Sequence, residues 1–180
     1  MLFAPDTEVA LRSVVNLINS AANGDEHLST TGDLDRFLEA EGFTGSRTRD
    51  AAELAGVKRL RGELGALWFA DESAAAETVN RLLREARALP QLVKHDAWDW
   101  HLHATTPDAP LADRMSTEAA MALVDVIRSK AMDRMLVCAA EDCDAVVLDL
   151  SRNRSKRYCD TGNCANRAHV AAYRARKAAS

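Results

Sequence analysis

Cys138-Ala139-Ala140-Glu141-Asp142-Cys143 and Cys159-Asp160-Thr161-Gly162-Asn163-Cys164 contain all 4 cysteines of the chain, as two close pairs. Two pairs of thiolates, each offered from a tight turn and joined by a spacer long enough for a hairpin, are what tetrahedral Zn2+ requires. Iron–sulfur ligation by four cysteines is the chemical competitor. A disulfide framework is a third reading, disfavoured in a chain that shows no export signal. Four thiolates fill the shell of a zinc ion and leave no position for water or substrate. The expected cofactor is therefore one structural Zn2+ on Cys138, Cys143, Cys159 and Cys164.

Working outward, Met135-Leu136-Val137 reads as a short strand entering the first turn and Ala145 to Leu150 as a strand leaving it. Ser151-Arg152-Asn153-Arg154-Ser155 is turn-like, and Lys156-Arg157-Tyr158-Cys159 is expected to return antiparallel with the third ligand. Thr161-Gly162-Asn163 breaks the chain before a helix from about Cys164 to Lys177. A knuckle, a hairpin and a helix starting at the fourth ligand describe a treble-clef-like finger. On that helix Ala165, Ala168, Ala172, Ala175 and Ala179 form a small-residue stripe that predicts close packing on the hairpin or the body.

The charge divides along the same line. Residues 1 to 133 hold 14 Lys and Arg against 22 Asp and Glu, net −8, whereas residues 134 to 180 hold 9 against 5, net +4. Between Arg152 and Lys177 there are eight cations and the single acid Asp160, a density that suits a polyanion, although a solvated charged face is the plainer alternative. Arg152, Arg154, Lys156 and Arg157 from the hairpin and Arg167, Arg174 and Lys177 from the helix are the candidate phosphate contacts, since guanidinium donors bond phosphate oxygens in pairs. Asn163 and Asn166 are candidate base-edge readers or, equally, helix caps.

Upstream the apolar spacing is helical. Pro5-Asp6 precedes Leu11, Val14, Val15 and Ile18 in a helix ending near Asn23-Gly24, and Thr30 with Asp33 forms a capping box for Leu34, Phe37 and Leu38. Thr48 to Ala70 repeats the pattern, and Ser73 is placed to cap a helix carrying Val79, Leu82 and Leu83. From Ala97 to Thr105 the period becomes two. Trp98, Trp100 and Leu102 alternate with Asp99, His101 and His103, predicting a strand with one buried face and a partner either near Gln91 to Lys94 or in the zinc module. Leu111 to Asp133 reads as a long helix. The expected fold is α+β: a mainly helical body over 1–133 with a short β element, then a small finger of hairpin plus helix over 134–180.

Ser151-Arg152-Asn153-Arg154, Tyr158-Cys159, Cys164-Ala165-Asn166-Arg167 and Tyr173-Arg174-Ala175-Arg176-Lys177 together resemble the CGNR zinc-finger family. The resemblance covers about residues 134 to 177 and implies a DNA-binding finger whose four ligands fall on the four cysteines above. One position departs: the signature glycine is Ala165, which favours helix but limits how closely a partner backbone can approach. Val14-Val15-Asn16-Leu17, Leu34-Asp35-Arg36-Phe37-Leu38 and the Leu60 to Trp68 helix resemble, over roughly residues 9 to 133, the ABATE domain that precedes this finger in stress-induced transcription regulators. That second resemblance transfers no functional residue.

The expected function is thus a bacterial transcription regulator that binds DNA, and the alternative is a zinc-stabilised module for protein or RNA. A second copy of the chain and a small-molecule effector are the other partners considered, since one finger seldom supplies high specificity. Arg exceeds Lys 18 to 5, a bias that GC-rich codons produce. With no apolar run of membrane-spanning length and no secretory leader, a cytoplasmic protein is expected. No Gly-rich phosphate loop, nucleophile elbow or paired-carboxylate motif appears, so no enzyme is expected. The best pointer toward an enzyme is His101 and His103, which, two apart on a strand, share a face and could bind a metal, although the exposed face of a two-sided strand explains them equally well.

Overall fold

The computed structural model describes residues 2–94 and 99–178. Four helices come first: α1 (Pro5–Asn19), α2 (Thr31–Ala40), α3 (Ala51–Leu67) and α4 (Glu72–Glu85). A two-stranded hairpin follows, β1 (Gln91–Val93) with β2 (His101–His103), and then the long helix α5 (Leu111–Arg128). The C-terminal part is β3 (Met135–Val137), β4 (Val146–Leu148) and α6 (Cys164–Ala178).

Each helix start has a chemical cause. Pro5 opens α1, where its missing N–H costs nothing. Thr30 and Asp33 make the expected reciprocal capping box of α2, with Asp33 N–H donating to Thr30 Oγ1 at 3.1 Å and Thr30 N–H to the Asp33 carboxylate at 2.7 Å. Asp50 caps α3 by accepting from Glu53 N–H at 2.8 Å. The cap of α4 is Asp71, which accepts from Ala74 N–H at 2.8 Å; the expected cap, Ser73, lies inside the helix. An ionised carboxylate accepts the orphan donors more strongly than a hydroxyl, and the helix therefore begins at the acid two residues earlier. Helix α5 stops at Arg128 instead of running to Asp133, because Lys130 takes a left-handed conformation with φ 54°.

Helix α5 is the central element, with α1, α3 and α4 packed around it. Leu11, Val14 and Leu17 of α1, Leu34 and Leu38 of α2, Val57, Leu60 and Leu64 of α3, Val79 and Leu82 of α4, and Met115, Ala119, Leu123 and Val126 of α5 are buried in one cluster. The cluster does not end at the helices. Met135, Val146 and Leu148 belong to it, so the strands of the cysteine region close one end of the helical core.

Strand β4 is fastened by the body along its free edge. Val146 N–H donates to Asn19 Oδ1 at 2.8 Å, and Asn19 Nδ2 donates back to the Val146 carbonyl at 2.9 Å, so the last residue of α1 pairs with β4 as a neighbouring strand would. Trp68 adds an indole N–H to the Val147 carbonyl at 3.3 Å.

The strand expected over Ala97 to Thr105 is shorter and lacks a buried face. β2 pairs antiparallel with β1 in the register Gln91 with His103, Leu92 with Leu102 and Val93 with His101, which is the first of the two expected partners. Leu92, Trp100 and Leu102 are 65%, 66% and 44% exposed, which overturns the expectation of a core face; Trp98 lies outside the described residues. The physical reason is that α4 already lies along α5 and closes the helical core without the hairpin.

Replacing Asn19 with Ala should strand a buried N–H and a buried carbonyl on Val146. Urea denaturation should show a loss of about 2 kcal/mol or more for the variant, and an unchanged midpoint would show that the clamp contributes nothing.

Candidate metal centre

The four cysteines converge. Their Sγ atoms all lie within 4.8 Å of one another; Cys138, Cys159 and Cys164 are buried and Cys143 is half-buried. Cys143 to Cys159 and Cys159 to Cys164 are both 3.7 Å between sulfurs. A tetrahedron with zinc–sulfur bonds of about 2.3 Å has edges of about 3.8 Å, so the spacing fits one ion at the centre. A disulfide would bring two sulfurs to about 2 Å, and all four cysteines are free. The donor set, its span and its burial are those of a structural zinc site, and the centre holds one Zn2+.

Each ligand is delivered by a different piece of local structure. Cys138 follows β3, held by its N–H to the Ala145 carbonyl at 2.8 Å; Cys143 follows in the turn, with its N–H on the Ala140 carbonyl at 3.1 Å. Cys164 opens α6, as expected. The segment Lys156–Cys159 corrects the expectation of a returning antiparallel strand. It has no ladder to β4, and it is tied through Ala139 N–H to the Arg157 carbonyl at 2.8 Å. β4 has its ladder with β3 on one side and Asn19 on the other, leaving no edge for a third strand. Gly162 lies so close to the metal centre that a Cβ there would stand 3.2 Å from Cys164 Sγ and 3.7 Å from Cys159 Sγ.

Donors also reach the sulfurs. Cys159 N–H donates to Cys138 Sγ at 3.4 Å, and the Arg167 guanidinium donates to Cys164 Sγ at 3.2 Å. Burial works against ionising Cys159, yet the Thr161 hydroxyl and Gly162 N–H bonded to its sulfur outweigh it and bring the thiol below its ordinary value. Burial pushes the Cys143 thiol up. A metal ion is therefore needed to hold all four as thiolates together, which couples its binding to proton release.

Asp149 organises the loop between β4 and the third ligand. It is 2% exposed, and its carboxylate accepts from Ser151 N–H at 2.8 Å, Ser151 Oγ at 2.5 Å and Lys156 N–H at 3.1 Å. Burial opposes its charge, but those hydrogen bonds and Arg134 prevail, leaving the carboxyl below its usual range. Buried Arg134 spans the same loop, donating to the carbonyls of Asp149 at 2.8 Å and Ser151 at 2.9 Å. Neither residue was a candidate from sequence. The signal for Asp149 was an acid inside the apolar run Ala145 to Leu150, where a carboxylate survives only if it is hydrogen-bonded.

The expected phosphate contacts separate into two groups. Arg167 lies against the zinc site: beside its bond to Cys164 it holds Asp142 through Nη1 at 2.5 Å and Nη2 at 3.1 Å. Arg154 pairs with Asp133, and Lys156 with Asp160 at 2.5 Å. Arg152, Arg157, Arg174 and Lys177 are exposed and make no ion pair among the described residues, and Asn166 is exposed at the start of α6. The Asn163 carbonyl accepts from Arg167 N–H at 2.9 Å.

The alanine stripe does not pack. Ala165, Ala172 and Ala175 are exposed and Ala168 is half-buried, while Ala179 lies outside the described residues. Among the described residues the first turn of α6 is fastened through Cys164 and Arg167, and beyond it the helix side chains from His169 to Lys177 are exposed.

Comparison with known families matches residues 134–177 to the CGNR zinc finger and residues 11–130 to ABATE, described as "Putative stress-induced transcription regulator". The two matches lie in the expected order. These are regulator and zinc-finger families rather than enzyme families. No curated protein matches the chain. Among the described residues no helix is long and apolar enough to cross a membrane.

Purified protein should contain one zinc per chain, and Cys159→Ser or strong chelation should unfold the finger, since a structural zinc site supplies on the order of 10 kcal/mol. Because β4 belongs to the body's core, the thermal midpoint of the helices should fall as well. Metal analysis with circular dichroism melting checks both. Asp149→Ala should cost about 1–3 kcal/mol and open residues 150–156 to protease with zinc still bound; a cleavage pattern like the parent's would deny Asp149 that role.

Proposed function

The chain belongs to the ABATE family and carries a C-terminal CGNR finger, and from that membership we propose that it is a transcription regulator that binds DNA through the finger. The observation that carries this reading is α6. It is a 15-residue helix, about 22 Å long, that leaves a rigid metal centre with Arg167, Arg174, Arg176 and Lys177 and no acid along it. A helix about 10–12 Å across with its side chains fits the major groove of B-DNA, roughly 12 Å wide.

The division of the cations assigns them different tasks. Arg167, held by Asp142 and Cys164, fixes the direction in which α6 leaves the zinc site. Arg152 and Arg157 beside the third ligand's loop and Arg174 and Lys177 along the helix meet phosphates; Arg154, Lys156 and Arg176 would first have to exchange the partners they hold for phosphate. Asn166, exposed on the first turn, is the side chain best placed to read a base edge. The negative body, at −8 over residues 1 to 133, keeps the positive end as the one that approaches the polyanion.

Five phosphate contacts should make log affinity fall with log salt at a slope near about −4.5 on duplex DNA. Arg174→Ala with Lys177→Ala should bring that slope nearer zero by about 2 while zinc content stays the same. Fluorescence anisotropy on random-sequence duplex, with structured RNA as competitor, measures both. A flat salt response, or displacement by RNA at far lower concentration than by DNA, would overturn the reading.

A further inference from the structure

The end of α1 fastens the finger to the body twice, and a cleft opens beside these clamps. Asn19 holds both backbone groups of Val146. Asn23, in a left-handed conformation with φ 60°, makes a second reciprocal pair: its N–H donates to Asp144 Oδ1 at 2.6 Å, and Asp144 N–H donates to Asn23 Oδ1 at 3.1 Å. Both asparagines line a cleft of about 320 Å3, together with Asn16, Phe37 and, from the finger, Thr161. Thr161 is also the residue whose hydroxyl bonds the Cys159 sulfur. The volume falls at the lower end of small-molecule sites, which run from about 300 Å3 upward.

The walls select by charge. Asp25 and Glu41 both line the cleft, and no Lys or Arg does among the described residues. The Asp25 carboxylate has no partner among those residues, while Glu41 accepts from Asn16 Nδ2 at 2.8 Å through Oε1 and keeps Oε2 for another donor. Arg61 donates to Ser20 Oγ at 2.9 Å, but its two terminal nitrogens are also on Glu26, at 2.8 and 2.7 Å, so its charge is met within the body. His27, the one ionisable base in the wall, accepts when neutral. An anion would meet two carboxylates here and no cation. An ammonium group would meet two carboxylates, the Asn16 side-chain oxygen and the aromatic ring of Phe37.

From this lining we propose that the cleft binds a small organic ammonium compound, an amine on a short apolar stem. Asp25 and Glu41 receive the ammonium group, Phe37 and Ala22 lie along the stem, and Thr161 bounds the finger side. The site is separate from the zinc centre and from the cations of α6, and it holds whatever the finger binds. Its walls come from both family regions, so an occupant touches the residues that keep the finger in place.

The probe is 2-phenylethylammonium, titrated into zinc-loaded full-length protein and followed by heteronuclear NMR. The side-chain amides of Asn16 and Asn23 and the backbone amide of Thr161 should shift saturably, with a dissociation constant on the order of 1 mM for so small a ligand. 3-Phenylpropanoate, with the same ring and the opposite charge, should leave them in place. Asp25→Asn with Glu41→Gln should weaken binding about tenfold or more, as expected for lost charge-assisted contacts, with zinc content and circular dichroism unchanged. Asp25→Asn alone, which breaks no bond within the protein, should weaken it in the same direction. Equal binding of the anion, parental affinity in the double variant, shifts confined to the exposed apolar residues of the β1–β2 hairpin, or no saturable shift would each overturn the proposal.

Discussion

Strand β4 serves two interiors at once, and the rest of the molecule depends on that. Side chains alternate along a strand, so Val146 and Leu148 enter the helical core while Val147 joins Ala145, Cys138, Cys159 and Cys164 around the metal. All three strand residues are buried, as a strand covered on both faces requires. One edge is paired with β3, and on the other Asn19 satisfies both backbone groups of Val146. The finger is therefore continuous with the body, and the metal stabilises a structure that extends past its own ligands.

Around the metal, polar groups carry out what a small apolar cluster cannot. The region past β4 buries little surface, and its loop is held by Asp149, Arg134 and the zinc thiolates. Arg167 joins the turn of the first cysteine pair to the helix of the second by gripping Asp142 while donating to Cys164. Such charge-assisted contacts set direction as well as energy. Helix α6 consequently has a defined starting orientation without packing along its length, and its cations are presented to solvent.

The body uses its apolar side chains to close the core around α5, and what remains outside is unusual for its composition. The β1–β2 hairpin exposes Trp100, Leu102 and Leu92 and turns a histidine pair into close register. Alternation of apolar and polar residues is a reliable sign of a strand, but it identifies two faces without saying which one is covered. Here the helices α4 and α5 satisfy one another first.

Cysteine spacing, capping residues and apolar periodicity were enough to expect four thiolates around one ion, the succession of helices and the opening of α6 at Cys164, because each depends on residues near in the chain or on a ligand chemistry with few solutions; the order of the two family regions came from the resemblance of their motifs. The structure alone revealed that β4 is shared, that Asn19 completes it, that Asp149 and Arg134 hold the ligand loop, and that Arg167 is engaged by an acid and a thiolate. Those facts join residues as far apart as 127 positions, and nothing local distinguishes a free arginine from a bound one or a packed alanine stripe from an open one. Burial and pairing depend on which surfaces meet, and that is settled only when the whole chain has folded.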